Sequence, residues 1–207
     1  YNMKKTNMKR FTLLALFIAI EIAVSVIPFL GYINLGFINA TTLHIPVIIA
    51  GILLGKKEGA IVGLVFGLTS LIKASIDPNI SSFVFSPFIT IGGQSGNFVS
   101  LLIAIVPRVL VGFVAGLVYE QLSKRNVNDI LSMSVAALLG SLTNTILVLG
   151  GIYIFFGPAY ASVVGIAYDA LIGFIMSIIT GSGIMEAIAA VIIAVAVCKA
   201  GKKVVSL

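Results

Sequence analysis

The sequence predicts an all-α, polytopic membrane protein, with six transmembrane helices in one compact bundle and both termini cytoplasmic. Three observations lead there. Of its 207 residues, 59% are hydrophobic and only 10% are charged, and its mean hydropathy is +1.19. The apolar residues come in several runs of about 20, the length a helix needs to cross the bilayer core. Those runs do not alternate apolar with polar, as the strands of a membrane β-barrel would. Finally, the positive charge is placed rather than scattered. Of the 13 Lys and Arg residues, all but Lys73 and Arg108 sit in four short clusters: Lys4/Lys5/Lys9/Arg10, Lys56/Lys57, Lys124/Arg125 and Lys199/Lys202/Lys203.

The helices follow in order. The first spans about Met8–Leu30 behind a basic lead-in. It lacks a small-residue cleavage site after a short apolar core, so it reads as a retained helix and not a signal peptide. A loop over Gly31–Leu43 leads to a short helix, His44–Leu54, and Gly55-Lys56-Lys57-Glu58-Gly59 turns the chain. A third helix covers Ala60–Ser75. Ile76–Asn97, rich in Ser, Pro, Gly and Asn, reads as a long loop. The fourth helix, Phe98–Ser123, holds Pro107 as an expected kink. A polar turn precedes the fifth, Ile130–Phe156. Gly157–Thr180 reads as weakly structured or re-entrant, and the sixth helix ends near Lys199.

Six spans put the four basic clusters on one side and leave the three opposite loops without Lys or Arg. That asymmetry assigns the basic side to the cytoplasm. The second helix reaches only about 17 Å, too short for a core of about 30 Å, so part of the loop before it must dip into the bundle. Long outward loops over tight cytoplasmic turns suggest a ligand site that opens outward. No internal repeat divides the chain, and residues 1–207 read as a single integral membrane domain.

Polar residues inside apolar runs are costly and mark function or pairing. Counted from the cytoplasmic ends at about 1.5 Å per residue, Glu21, Lys73, Arg108, Asn144 and Glu186 fall roughly 16–24 Å deep, in one slab. Lys73 and Arg108 could neutralise Glu21 and Glu186, or hold an anionic ligand. The planar Arg fork suits a carboxylate better than Lys does, which puts Arg108 first. Gly112, Ala115 and Gly116 follow it on one face, open to a helix or a ligand. Asn144, in the polar patch Ser141-Leu142-Thr143-Asn144-Thr145, needs a partner on a neighbouring helix or on a ligand. Asn39, Thr41 and His44, at the entry to the second helix, offer further donors and acceptors, and Thr42 could cap that helix. Gln94 and Asn97 could gate the site or face water, and Tyr168-Asp169 carries the same ambiguity. On the first helix, Ala15, Ala19 and Ala23 recur every four residues. This close-packing stripe serves internal packing or a partner subunit.

Several classes recede. The net charge of +6 follows from topology, so nucleic-acid binding is not expected. Cys198, the only cysteine, reads as a small buried residue or a free thiol, with no redox role. No cofactor or metal is expected. One histidine cannot make a His-Glu-x-x-His metalloprotease, although His44 permits a serine-type intramembrane enzyme formally. Glu21 and Glu186 leave a stand-alone proton-coupled secondary transporter open, and a purely structural subunit would bind no small molecule.

The residues also resemble a family. The six helices, the dipping first loop and the Ala-xxx-Ala stripe resemble the substrate-binding S components of energy-coupling factor (ECF) vitamin transporters. Three segments, Gly36–Val47, Gly55–Gly63 and Pro107–Gly112, look like the pantothenate branch. The resemblance implies high-affinity vitamin binding on the outward face of a bacterial cytoplasmic membrane. It implies docking through Ala15, Ala19 and Ala23 onto a transmembrane coupling subunit driven by two ATPases, and toppling in the membrane to release cargo inward. By the same resemblance Arg108 and Asn144 line the pocket. The chain has no Gly-x-x-x-x-Gly-Lys-[Ser/Thr] of its own and must borrow an ATPase. Pantothenate, with one carboxylate, an amide and two hydroxyls, suits one cation surrounded by amides and hydroxyls. The absence of Trp disfavours a large flat ring such as riboflavin or thiamine, although another small water-soluble vitamin stays open.

Overall fold

A computed structural model describes the backbone of residues 2–27, 31–34 and 39–205, and the side chains of residues 8–27, 31 and 41–202. In chain order the elements are α1 (Asn2–Val26), β1 (Tyr32–Asn34), β2 (Asn39–Thr41), α2 (His44–Leu54), α3 (Lys56–Ile76), α4 (Ser82–Phe85), β3 (Thr90–Ile91), β4 (Gln94–Ser95), α5 (Phe98–Lys124), α6 (Asp129–Val164), a 3-10 turn (Tyr168–Ala170), α7 (Leu171–Ile178), a π-turn (Ile179–Gly183) and α8 (Ile184–Val205).

Four stretches are long and apolar enough to cross a membrane: Lys56–Ile76, Phe98–Lys124, Asp129–Val164 and the run Tyr168–Lys202 through α7, the π-turn and α8. Six were expected. The two that fall short among the described residues are α2, with 11 residues, and α1, where Lys9, Arg10 and Glu21 leave too short an uncharged stretch. Apolar side chains cover the outside. Leu16, Leu64, Ile72, Ile146, Ile154, Met185 and Ile192 are all exposed, which suits lipid and would be a liability in water.

The basic residues gather at one end of the bundle, tied by ion pairs between helices. Arg10 meets Glu58 at 3.0 Å, linking α1 to α3, and Lys56 meets Glu120 at 3.1 Å, linking α3 to α5. Lys202 bonds both Asp129 and Tyr119, closing α5, α6 and α8 together. The side chains of Lys4, Lys5 and Lys203 lie outside the described residues.

The seam that fixes α5 is nearly all backbone. Gly59, Gly63 and Gly67 recur every fourth residue on α3 and face α5. A Cβ on Gly112 would stand 2.0 Å from the Gly59 carbonyl, and one on Gly63 would stand 2.2 Å from the Arg108 carbonyl. On the other side, a Cβ on Gly51 of α2 would stand 2.5 Å from the Gly112 carbonyl. Gly112 and Gly116 therefore serve helix packing rather than a ligand, as small-residue spacing does inside membranes. Ala115 is fully buried against α6.

Two segments depart from the sequence reading. Gly157–Thr180 was expected to be loosely structured or re-entrant. Instead α6 runs through Pro158 to Val164, ends in a left-handed Gly165 (φ 79°), and α7 begins at Leu171. Helical backbone is the cheaper state at membrane depth, because every N–H and C=O needs a partner there. The Ser-rich segment Ile76–Asn97 is a tied structure rather than an open loop. Ser86 bonds Ser75 at 2.8 Å, Ser100 donates to the Phe83 carbonyl at 2.8 Å, and Asn97 caps α5 in a reciprocal pair with Ser100. Asn97 is thus committed to a helix terminus.

Two apolar clusters stack along the bundle. The cluster at the basic end joins Ile48 and Ile49 of α2, Phe66, Val111, Ala115, Ala136, Ala190 and the fully buried Cys198. The one at the opposite end joins Phe83, Ile103, Val148, Ile152, Phe156 and Leu171.

Candidate functional site

Between those clusters α5, α6, the π-turn and α8 contribute polar residues. On α5, Arg108 lies between Ile103 and Val111. On α6, Ser141, Asn144 and Thr145 lie between Ala137 and Val148. Ser182 and Glu186 lie between Ile175 and Ala190. His44, at the start of α2, joins the same layer through its Nε2, which is 3.2 Å from Ser141 Oγ. Ser141, Asn144 and Thr145 share a face because residues three and four apart are helical neighbours. Thr143, on another face, bonds its own helix at the Leu139 carbonyl.

Arg108 is only 6% exposed. Its Nη1 donates to the Ile103 carbonyl at 2.6 Å. Its guanidinium carbon lies 5.4 Å from the centre of the Phe66 ring and 4.9 Å from that of Phe85, positions that favour a cation over a π face. The first loop enters the bundle here as β1–β2. Register pairs Tyr32 with Thr41 and Asn34 with Asn39, and the Thr41 amide donates to Glu186 Oε1 at 2.8 Å. Leu43 rather than Thr42 occupies the N-cap of α2, and no side chain caps that helix.

Among the described residues, Thr41 Oγ1, His44 Nδ1 and Asn144 Oδ1 are buried without a hydrogen-bond partner, as are both carboxylate oxygens of Glu21. Buried polar atoms in folded proteins are nearly always satisfied, and an orphan costs about 1–3 kcal/mol. The first three orphans sit on two adjoining elements, β2–α2 and α6, that the His44–Ser141 contact joins. Such groups are what a polar guest would satisfy. Glu21, on α1, is fully buried.

The remaining candidates are placed apart. Lys73 stands in the last turn of α3, with its Nζ 3.2 Å from Asp77 and its side chain 36% exposed. It lies at the rim rather than in the buried layer, because α3 has nearly ended there. Gln94 is on β4, paired with Ile91 in the hairpin at the non-basic end. The Tyr168 ring stacks on Tyr153 with centres 6.1 Å apart. The side chain of Asn39 lies outside the described residues. Ala15, Ala19 and Ala23 are all exposed along α1. Among the described residues, no cluster of His, Cys, Asp and Glu could hold a metal ion.

Phe66 and Phe85 were not anticipated as part of the site. Both read as ordinary core aromatics in the sequence, and only the fold brings a cation between them. Nor was Ser141 anticipated as the partner of His44, although its i−3 spacing from Asn144 signalled a shared face.

The family described as ECF transporter, substrate-specific component, matches residues 9–198. The pantothenic acid transporter PanT of Lactococcus lactis subsp. cremoris is 38% identical over 200 residues, 96% of each chain. The pantothenate transporter PanT of Leuconostoc mesenteroides subsp. mesenteroides is 30% identical over 203 residues, covering 94% of this chain and 93% of its own. A crystal structure of the S-component for biotin from an ECF-type ABC transporter superposes with a TM-score of 0.59 at 21% identity, over 96% of this chain and 94% of its own. At that identity the likeness speaks for the fold alone.

Proposed function

Because the chain belongs to the family of ECF transporter substrate-specific components, we propose that it is the pantothenate-binding subunit of such an importer in a bacterial cytoplasmic membrane. The basic end faces the cytoplasm, following the positive-inside rule, so the β1–β2 and β3–β4 hairpins face outward. One observation carries the ligand reading: a buried guanidinium and three buried orphan polar atoms are spread along the bundle between two apolar clusters. Such a set suits a small molecule with an anionic group and several hydrogen-bonding groups. The names of the two relatives above supply the vitamin.

The geometry supports an orientation. Helices α5 and α6 run antiparallel, with Gly140 against Ala115 and Gly151 against Ile103. The Ile103 carbonyl that holds Arg108 is thus level with residue 151, roughly 10 Å outward of Asn144 at 1.5 Å per residue. Pantothenate fits with its carboxylate at Arg108 and its hydroxyl-bearing end deeper, against Asn144, His44 and Thr41. The β1–β2 pair leads into this region, tied to α8 by the Thr41–Glu186 bond.

Transport requires the coupling subunit and two ATPases. The exposed Ala15, Ala19 and Ala23 face is the docking surface for the first of these. Replacing Ala19 with Leu leaves pantothenate affinity unchanged and abolishes uptake in cells carrying the ECF subunits, because a bulky side chain holds the partner helix off. Normal uptake in that variant rejects the docking role. The Ser141–His44 contact alone makes no hydrolase, since no carboxylate orients His44 Nδ1 among the described residues.

The deciding experiment is titration calorimetry of the detergent-solubilised chain with pantothenate, alongside mass spectrometry of whatever co-purifies. Saturable binding at a single site supports the reading. A folded protein that ignores pantothenate overturns it.

A further inference from the structure

We propose that Pro107 is a positioning residue for the ligand-binding cation, because it leaves the Ile103 carbonyl open to be taken by the Arg108 guanidinium. The inference rests on the reading of Arg108 as the carboxylate anchor.

An α-helix bonds each N–H to the carbonyl four residues back. The donor owed to Ile103 is therefore residue 107, and proline has no N–H to give. Yet α5 continues unbroken from Phe98 to Lys124 across that position. Ile103 is itself only 4% exposed, inside the apolar cluster at the non-basic end. A carbonyl left open there cannot turn to bulk water, and at membrane depth it must find a donor within the protein. The donor is Arg108 Nη1 at 2.6 Å.

The local geometry makes this connection natural. Side chains on a helix lean toward its N-terminus, and the N-terminus of α5 points away from the basic end. Arg108 is anchored one residue past the proline, and its guanidinium reaches back over the turn that lacks a bond. Phe66 of α3 and Phe85, at the end of α4, flank it at 5.4 and 4.9 Å. Arginine in a wide pocket would sample many rotamers and lose that freedom on binding. Held by a carbonyl and two rings among the described residues, it is ordered before the ligand arrives, and pre-ordering raises affinity without any new contact. With five N–H donors, a guanidinium can bond Ile103 and still offer paired donors to a carboxylate. The bond runs from Arg108 to Ile103, and the part Pro107 plays is the N–H it lacks.

The test compares two ligands on the same purified full chain in detergent: pantothenate, and pantothenol, its alcohol analogue without the carboxylate. The ratio of their affinities reads the carboxylate contact alone and does not depend on how much of a preparation is folded. The wild-type chain prefers pantothenate by about tenfold or more, as expected for hydrogen bonds to a charged group. Replacing Pro107 with Ala restores an N–H that competes for Ile103. The preference then falls by about tenfold, while the melting temperature holds or rises because alanine is the better helix former. Pro107→Ser, which restores the same N–H, gives the same loss. In an Arg108→Ala background, Pro107→Ala changes the preference no further.

If Arg108→Ala erases the preference but Pro107→Ala and Pro107→Ser keep it, the positioning role is overturned and Arg108 remains the anchor. If Arg108→Ala itself keeps the wild-type preference, the carboxylate reading of Arg108 fails, and the role of Pro107 fails with it.

Discussion

Arg108 and Lys73 look alike in the sequence and unlike in the structure. Both are single cations within apolar runs. Arg108 sits in the middle of α5, buried, flanked by two aromatic rings and tied to a backbone carbonyl. Lys73 sits at the end of α3, a third exposed, beside the carboxylate of Asp77 four residues on. Depth along a helix does not separate them well, because the apolar run around Lys73 simply outlasts the buried part of α3. What separates them is the covering structure. Arg108 has α3 on one side, brought close by Gly59, Gly63 and Gly67, and the α4 turn above it.

The widest expected gap between the two regions is at Arg108. Arg108→Ala weakens pantothenate binding by about 100-fold or more, since a buried charge pair loses one partner. Calorimetry reads it, and an affinity within a few-fold of wild type removes Arg108 from the site. A smaller effect belongs to Asn144, whose buried Oδ1 is an orphan among the described residues. Asn144→Ala costs about tenfold in affinity, the worth of one or two hydrogen bonds, while the melting temperature does not fall. A sharp fall in melting temperature with affinity preserved would make Asn144 a packing residue of the helix bundle.

Much of this was legible in the sequence, and the exceptions have physical reasons. The bounds of α2 came directly from its short apolar run between Thr42 and Gly55. The gathering of basic residues at one end followed from their clustering. Arg108, Asn144 and Glu186 stood out because polar groups in apolar runs are rare. The helical course of 157–180 did not, because Gly157 and Pro158 are breakers in water and helix in lipid, where an open backbone is dearer than a strained one. Nor did Phe66 and Phe85, since nothing in a phenylalanine's neighbours says that a cation will lie against it. The tie from Ile103 to Arg108 was available in principle. A proline immediately before an arginine frees a carbonyl four residues back, within reach of the arginine side chain.

The smallest effect sharpens the comparison most. Lys73→Ala is expected to change pantothenate affinity by less than about twofold, because a partly exposed pair four residues apart on a helix is worth little. Asp77, the more exposed partner at 77%, is left facing solvent and carries no burial cost. The same calorimetric titration, run beside Arg108→Ala, places both cations on one scale. A loss of tenfold or more at Lys73 would mean that the outer end of α3 belongs to the ligand's binding surface, and that the division between rim and buried layer drawn from exposure is misplaced.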